Sequence, residues 1–167
     1  MKKLLICRHA KSSWDEPGLS DHERPLAKRG WRDAPLMAKR IKTNHIYPEQ
    51  IISSDALRAL QTAEVYLETF SKEDVIFEKT AQLYHASVSD ILEVVRHSSD
   101  RVNTLFIFGH NPGFTDLINH LRESLDNLPT AAVFGFTFAT NSWNNLSRKN
   151  ASFWLYDFPK NSSPKIF

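Results

Sequence analysis

The sequence predicts an α/β fold: a single-domain, three-layer α/β/α sandwich around a mostly parallel, mixed central sheet. Three observations predict it. Short β-prone runs alternate with segments of helical apolar spacing along most of the chain, the pattern of strands joined through helices. The last two strand-like runs, 131–140 and 152–157, follow one another without a helix between them, which makes the sheet mixed. The chain has 167 residues, one domain's worth, enough to bury roughly 70% of the surface it exposes when unfolded. We therefore expect one domain over 1–167, with 158–167 as a loose tail.

The elements follow in order. Leu4–Cys7 is a short apolar run bounded by charge, which fits a buried strand. Residues 14–25 carry Pro17, Gly18, Ser20, Asp21 and Pro25 and form a loop. From Leu26 to Lys42, Ala34, Met37, Ala38 and Ile41 recur at helical spacing, and Pro35 kinks that helix or marks its effective start, with Asp33 as its N-cap. Ile51–Ser53 is a second strand. Leu57, Leu60, Ala63 and Leu67 mark a second helix, with Asp55 near its start, and Val75–Glu78 a third strand. A helix over Ser89–His97 precedes Thr104–Phe108, the clearest buried strand, and a fourth helix runs over Gly113–Arg122. Ala132, Phe134, Phe136 and Phe138 alternate onto one face of the strand that follows. The phenylalanines of these two strands are core packing rather than a stacking platform for bases.

Composition narrows the function classes. At 41% hydrophobic and 24% charged residues, the chain is neither disordered nor a coiled coil. Its apolar runs fall far short of the roughly 20 residues that cross a bilayer. Lys2 and Lys3 precede Leu4, Leu5 and Ile6 as in a secretory leader, but the apolar run ends at Arg8, so the segment is read as a strand. Cys7 is the only cysteine, which excludes an internal disulfide and a cysteine-based zinc site and suits the cytoplasm. A net charge of +2 gives no argument for nucleic acid as a partner, and none is expected, nor a membrane. His22, His45, His97 and His120 lack metal-ligand spacing, so no metal is expected. Lys28, Arg29, Arg32, Lys39, Arg40 and Lys42 read as the solvated face of one helix.

Two segments carry chemistry. Arg8-His9-Ala10 directly follows the first strand, and Gly109-His110-Asn111-Pro112-Gly113 lies between a strand and a helix. Ligand sites in open α/β sheets form beyond the carboxyl ends of strands. Glycine and proline around His110 would let backbone approach a ligand, and the helix N-terminus after it suits an anion. Arg58 stands just past the second strand. Two arginines and two histidines at strand ends can converge on one tetrahedral oxyanion, which the arginine fork matches in shape and charge.

The blocks Arg8-His9-Ala10-Lys11-Ser12-Ser13-Trp14, Arg24-Pro25-Leu26-Ala27-Lys28-Arg29-Gly30, Ser53-Ser54 with Arg58-Ala59 and Gln61-Thr62-Ala63, and Gly109-His110-Asn111-Pro112, in this order, resemble the histidine phosphatase (phosphoglycerate mutase-like) superfamily, and within it the small SixA-like phosphohistidine phosphatases. The resemblance runs from Leu4 to about Leu121. It implies a phosphatase without cofactor, with His9 as the nucleophile that takes up the phosphoryl group. Arg8, Arg58 and His110 would complete the phosphate pocket, with Arg24, Lys11, Ser12 and Asn111 as further substrate contacts; Arg24 could instead pair with Asp21 or Glu23, and Ser12 reads as a hydrogen-bonding support. Nearby arginines should hold His9 neutral and nucleophilic.

The sequence departs from the wider pattern at Ala10, Asp15 and Ala27, where glycine, asparagine and threonine are usual. Asp15 would repel phosphate and is not assigned to it, and Ala27 forfeits a helix cap. The loop Gln82-Leu83-Tyr84-His85-Ala86-Ser87 lacks the carboxylic acid that many relatives use to protonate the leaving group. His85 or a residue of Asp15–Asp21 could stand in. Otherwise the substrate needs little help, as a phosphohistidine does. The expected substrate is a phosphorylated protein, such as a histidine-containing phosphotransfer domain. A small phosphomonoester, or a phosphate-binding module without turnover, is the alternative; a mutase ranks last, for want of chain to build a lid.

Overall fold

The computed structural model describes residues 1–121 and 123–166. Its strands are β1 (Lys2–Arg8), β2 (Gln50–Ser54), β3 (Ile76–Thr80), β4 (Thr104–Gly109), β5 (Val133–Phe138), β6 (Ala151–Asp157) and β7 (Lys165–Ile166). Its helices are α1 (Lys28–Thr43), α2 (Leu57–Thr69), α3 (Val88–Arg96) and α4 (Gly113–His120). The strands form one sheet in the order β3-β2-β4-β1-β5-β6-β7. The first four are parallel, and β5, β6 and β7 add antiparallel pairs.

Period-two alternation along β1 sends its side chains into two cores. Leu4 and Ile6 join Ile91 and Val95 of α3 and Phe114 and Leu117 of α4. Leu5 and Cys7 join Ala34, Met37 and Ile41 of α1 and Ala63 and Tyr66 of α2. The sheet is thus covered on both faces, as expected for three layers. Ala132, Phe134, Phe136 and Phe138 all face the α3/α4 side, as their alternation requires.

Several local expectations are corrected. α1 runs unbroken through Pro35 and has Ala27 as its N-cap residue, with no side-chain cap. The roughly 3 kcal/mol that an interior proline costs is outweighed by the apolar stripe Ala34, Met37, Ala38 and Ile41 buried against the sheet. Asp33 is no cap: it is buried and accepts from Arg32 Nε at 3.1 Å. Arg40 leaves the solvated face and donates to the Asp157 carboxylate at 3.2 Å and the Phe158 carbonyl at 3.0 Å. In the segment expected to be a loose tail, Lys165–Ile166 pair with β6. α4 ends at His120, and Arg122, placed in that helix from sequence, lies outside the described residues. α3 has a start signal the sequence reading overlooked, a capping box between Ser87 and Asp90.

Candidate functional site

Strand order brings the candidate residues together. β1 and β4 are parallel neighbours in a register that pairs Arg8 with Gly109, so His9 and His110 leave the sheet side by side. Their ring centroids lie 5.2 Å apart. β2 flanks β4 and pairs Ser53 with Phe108, which delivers Ser54 and the start of α2 to the same end of the sheet. The loop after β1 is fastened there by two side chains of α2. Thr62 Oγ1 accepts from Ala10 N at 3.0 Å and Gln61 Oε1 accepts from Leu26 N at 2.8 Å. That is the structural reason for the Gln61-Thr62 pair one turn beyond Arg58.

The result is a cavity of about 250 Å³ lined by Arg8, His9, Lys11, Ser12, Trp14, Arg24, Arg58, His110, Asn111 and Thr130. Every residue singled out from sequence for the site lines it. No carboxylate does; Asp15 lies exposed, off the lining. A larger hollow of about 450 Å³ along the β3 edge holds Glu78 and Glu93 and no arginine or lysine, so its charge disfavours an anion.

His9 is buried, and its Nδ1 lies 2.7 Å from the Ala10 carbonyl oxygen. A carbonyl only accepts, so Nδ1 carries the hydrogen and Nε2 keeps its lone pair. Burial, reinforced by the charges of Arg58, Arg8 and Arg24, lowers its pKa to about 3, against a smaller opposing effect of the Ala10 hydrogen bond. Burial, then His9 and Arg58, likewise drives His110 far below the ordinary imidazole value. Both rings are neutral at physiological pH.

His110 Nε2 lies 2.8 Å from Ser54 Oγ, which also accepts from Ala56 N at 3.2 Å. Ser54 Oγ can donate its hydrogen to Nε2 while accepting from Ala56 N. His110 Nδ1 is buried without a partner. Arg8 Nε is also buried and unpartnered, while Arg8 NH1 donates to the Leu128 carbonyl at 2.8 Å. Burial and then Arg58 lower the Arg8 pKa. Crowded like charges are unfavourable alone and are relieved by an oxyanion among them.

Asp21, offered by the sequence as a partner of Arg24 alone, also gathers Arg58 and Tyr84. Arg58 donates through NH1 to its carbonyl at 2.6 Å and through NH2 to its carboxylate at 3.0 Å. Arg24 NH1 and the Tyr84 hydroxyl donate to the same carboxylate at 3.1 and 2.6 Å. The Tyr84 hydrogen bond, then Arg58 and Arg24, hold it well below the usual carboxylate range. Permanently ionised, Asp21 cannot lend a proton to a leaving group. It orients two arginines instead. Nothing in the sequence marks this, because Tyr84 and Arg58 reach Asp21 only through the fold.

Other expectations at the site are revised by packing. Asn111 lines the cavity, but its amide donates to the Leu128 carbonyl at 2.9 Å and its oxygen accepts from Thr115 Oγ1 at 2.9 Å. In the first turn of α4, Phe114 N donates to His110 O at 3.0 Å, Thr115 N to Asn111 Oδ1 at 3.3 Å and Asp116 N to Pro112 O at 2.9 Å. Gly109 and Gly113 serve packing rather than ligand approach. A Cβ on Gly109 would meet the Phe114 ring at 2.7 Å, and one on Gly113 the Ala86 carbonyl oxygen at 2.3 Å. Ser12 is the hydrogen-bonding support expected of it, accepting from Arg24 NH2. Lys11 is half-buried in the lining, and His85 stands exposed beside Tyr84, ring centroids 3.9 Å apart.

Two predictions arise here. Unfolded imidazoles take up protons near pH 6.5, whereas folded His9 does so only near 3, so acidification favours unfolding. Stability should be full above that unfolded value and fall as pH drops below it, by up to about 1.4 kcal/mol per pH unit for each buried imidazole. Urea midpoints measured from neutral pH down to mild acid should fall less steeply in His9→Gln than in the parent; equal slopes would contradict the neutral assignment. Separately, Asp21→Asn should raise KM for a phosphorylated substrate about tenfold with kcat changed less, as the arginines lose a charged anchor. Tighter binding would mean that the carboxylate competes with substrate.

Comparison with known proteins places these features in context. The family model for the histidine phosphatase superfamily (branch 1) matches residues 4–87. An uncharacterised chloroplastic protein of Arabidopsis thaliana is 29% identical over 150 residues, 85% of this chain and 69% of its own. In fold the chain is similar to a SixA protein of Agrobacterium tumefaciens, with TM-score 0.79 and 22% identity over 95% of this chain and 98% of that one. It is also similar to the protein histidine phosphatase SixA complexed with tungstate, with TM-score 0.78 and 23% identity over 94% and 97% of the two chains.

Proposed function

The chain belongs to the histidine phosphatase superfamily, and from that premise we propose that it is a phosphatase that works through a phosphohistidine on His9 and acts on phosphohistidine carried by a protein. The observation that carries this reading is a neutral His9 with its Nε2 lone pair free, in a cavity lined by three arginines and no carboxylate. Arg8, Arg24 and Arg58, with His110 beside them, hold the phosphoryl oxygens. His9 Nε2 attacks phosphorus in line as the leaving group departs on the opposite side. The charge that develops on the equatorial oxygens meets guanidinium groups that the Asp21 carboxylate and the Leu128 and Ser13 carbonyls already hold in place. Water then takes the phosphoryl group from His9. The cations on hand supply the charge that a metal would bring, so we propose a metal-independent reaction.

The substrate class follows from what the site lacks. The Gln82–Ser87 loop has no carboxylic acid, and Asp21 stays ionised. An alkoxide leaving group would depart unassisted, whereas imidazole leaving a P–N bond asks far less. This favours phosphohistidine over simple phosphomonoesters. Among the described residues no helix is long and apolar enough to cross a membrane. Cys7 is free and buried, in keeping with work in the cytoplasm on a phosphorylated protein such as a phosphotransfer domain.

The test offers the protein a phosphorylated phosphotransfer domain and 4-nitrophenyl phosphate, each with and without EDTA. The reading expects release of phosphate from both, faster from the domain, indifferent to chelator and dependent on His9. A faster alkyl phosphomonoester would shift the substrate class. Binding of phosphate with turnover of neither compound would make the chain a binding module.

A further inference from the structure

Trp14 plays no part in the reaction derived so far, yet it is the most exposed large hydrophobic side chain among the described residues, at 71%. It lines the same cavity as His9. Its ring lies against the Arg24 guanidinium, whose central carbon sits 3.2 Å from the ring centroid. Arg24 is itself fixed, with Nε on the Ser13 carbonyl at 3.1 Å and NH1 on Asp21 at 3.1 Å. The strand of chain beneath Trp14 is pinned by Ser13 N to the Pro25 carbonyl at 2.8 Å and by the Ser12–Leu26 bridge. A large aromatic ring is thus preorganised in the open, where burial would ordinarily be favoured.

In-line transfer to His9 Nε2 places the leaving group on the far side of phosphorus, away from the buried histidines and towards the mouth of the cavity. The other lining residues are charged or polar, so Trp14 alone offers a flat apolar surface there. We propose that Trp14 is the surface on which the leaving group stacks, selecting phosphoryl donors whose leaving group is a planar unsaturated ring, such as the imidazole of phosphohistidine. The inference rests on the phosphatase reading above and adds a specificity determinant to it.

The test compares two donors that share the P–N bond and differ in the ring: N-phosphohistidine and phosphoramidate. Trp14→Ala should lower kcat/KM for phosphohistidine by about tenfold or more, chiefly through KM, and leave phosphoramidate within about twofold. Trp14→Phe, which keeps a flat face, should recover most of the loss. An equal loss on both donors would overturn the inference, reducing Trp14 to a support for Arg24, and so would no loss on either. Both of those outcomes leave the phosphatase reading intact, whereas a parent protein that turns over neither donor overturns both.

Discussion

His9→Ala is expected to abolish turnover, with kcat lower by on the order of 10⁵-fold, while the protein still binds phosphate. The expectation follows from a division of labour within the site. The guanidinium groups of Arg8, Arg24 and Arg58 bind the anion, and none depends on the His9 ring for its position: Arg8 is tied to Leu128, Arg24 to Ser13 and Asp21, and Arg58 to Asp21. The nucleophile is a single atom, Nε2, whose lone pair exists because Nδ1–H is engaged by Ala10. Removing the ring removes the covalent route and leaves the binding. His9→Asn controls for the hollow the alanine leaves, since its amide can still donate to the Ala10 carbonyl. Both variants should be dead by single-turnover assay and near parental in phosphate affinity. Residual turnover above about one part in a hundred in either would point to direct attack by water.

The second large effect is expected at Arg58. Arg58→Ala should lower kcat/KM by about 10³-fold, and Arg58→Lys by about 10²-fold, since lysine restores charge without the planar fork. The guanidinium is buried and anchored by the backbone and side chain of Asp21. Its charge also acts on both neighbouring histidines and on Arg8, lowering the pKa of each. Its loss should therefore raise the pKa of His9, so that the acid limb of the pH–activity profile moves towards neutrality in Arg58→Ala while Arg58→Lys keeps the parental limb. Thermal stability should change little, since the lost ion pair is offset by relief of the repulsion on Arg8. A parental kcat/KM in Arg58→Ala would remove this residue from the phosphate site.

Much of this was legible in the sequence, and the reason is geometric. A parallel strand delivers the residue after its last position to one end of the sheet, so Arg8-His9 and Gly109-His110 were placed correctly by strand assignment alone. Arg58, one helix start away, followed from the same rule. The alternation of Phe134, Phe136 and Phe138 likewise stated which face was core. What stayed hidden depends on how loops return to the sheet. Asp21 sits in a turn-rich loop whose sequence offers Arg24 as a neighbour but gives no sign that Arg58 and Tyr84 will meet there. Asn111 reads as a ligand residue by position, but its amide holds the start of α4. Gly109 and Gly113 read as space for a ligand when Phe114 and Ala86 occupy that space. Pro35 shows the opposite failure, a strong local signal overridden by an apolar stripe that gains more from burial than proline costs.

The central claim is that the phosphoryl group passes through His9 Nε2. It is tested most directly by mixing the protein with N-phosphohistidine or an aryl phosphate, quenching rapidly at alkaline pH to preserve the P–N bond, and mapping the phosphoryl group by mass spectrometry. The account predicts a phosphoryl group on His9 that forms and decays within the turnover time and is absent from His9→Asn. Turnover without any phosphorylated protein, or with the group on another residue, would contradict it.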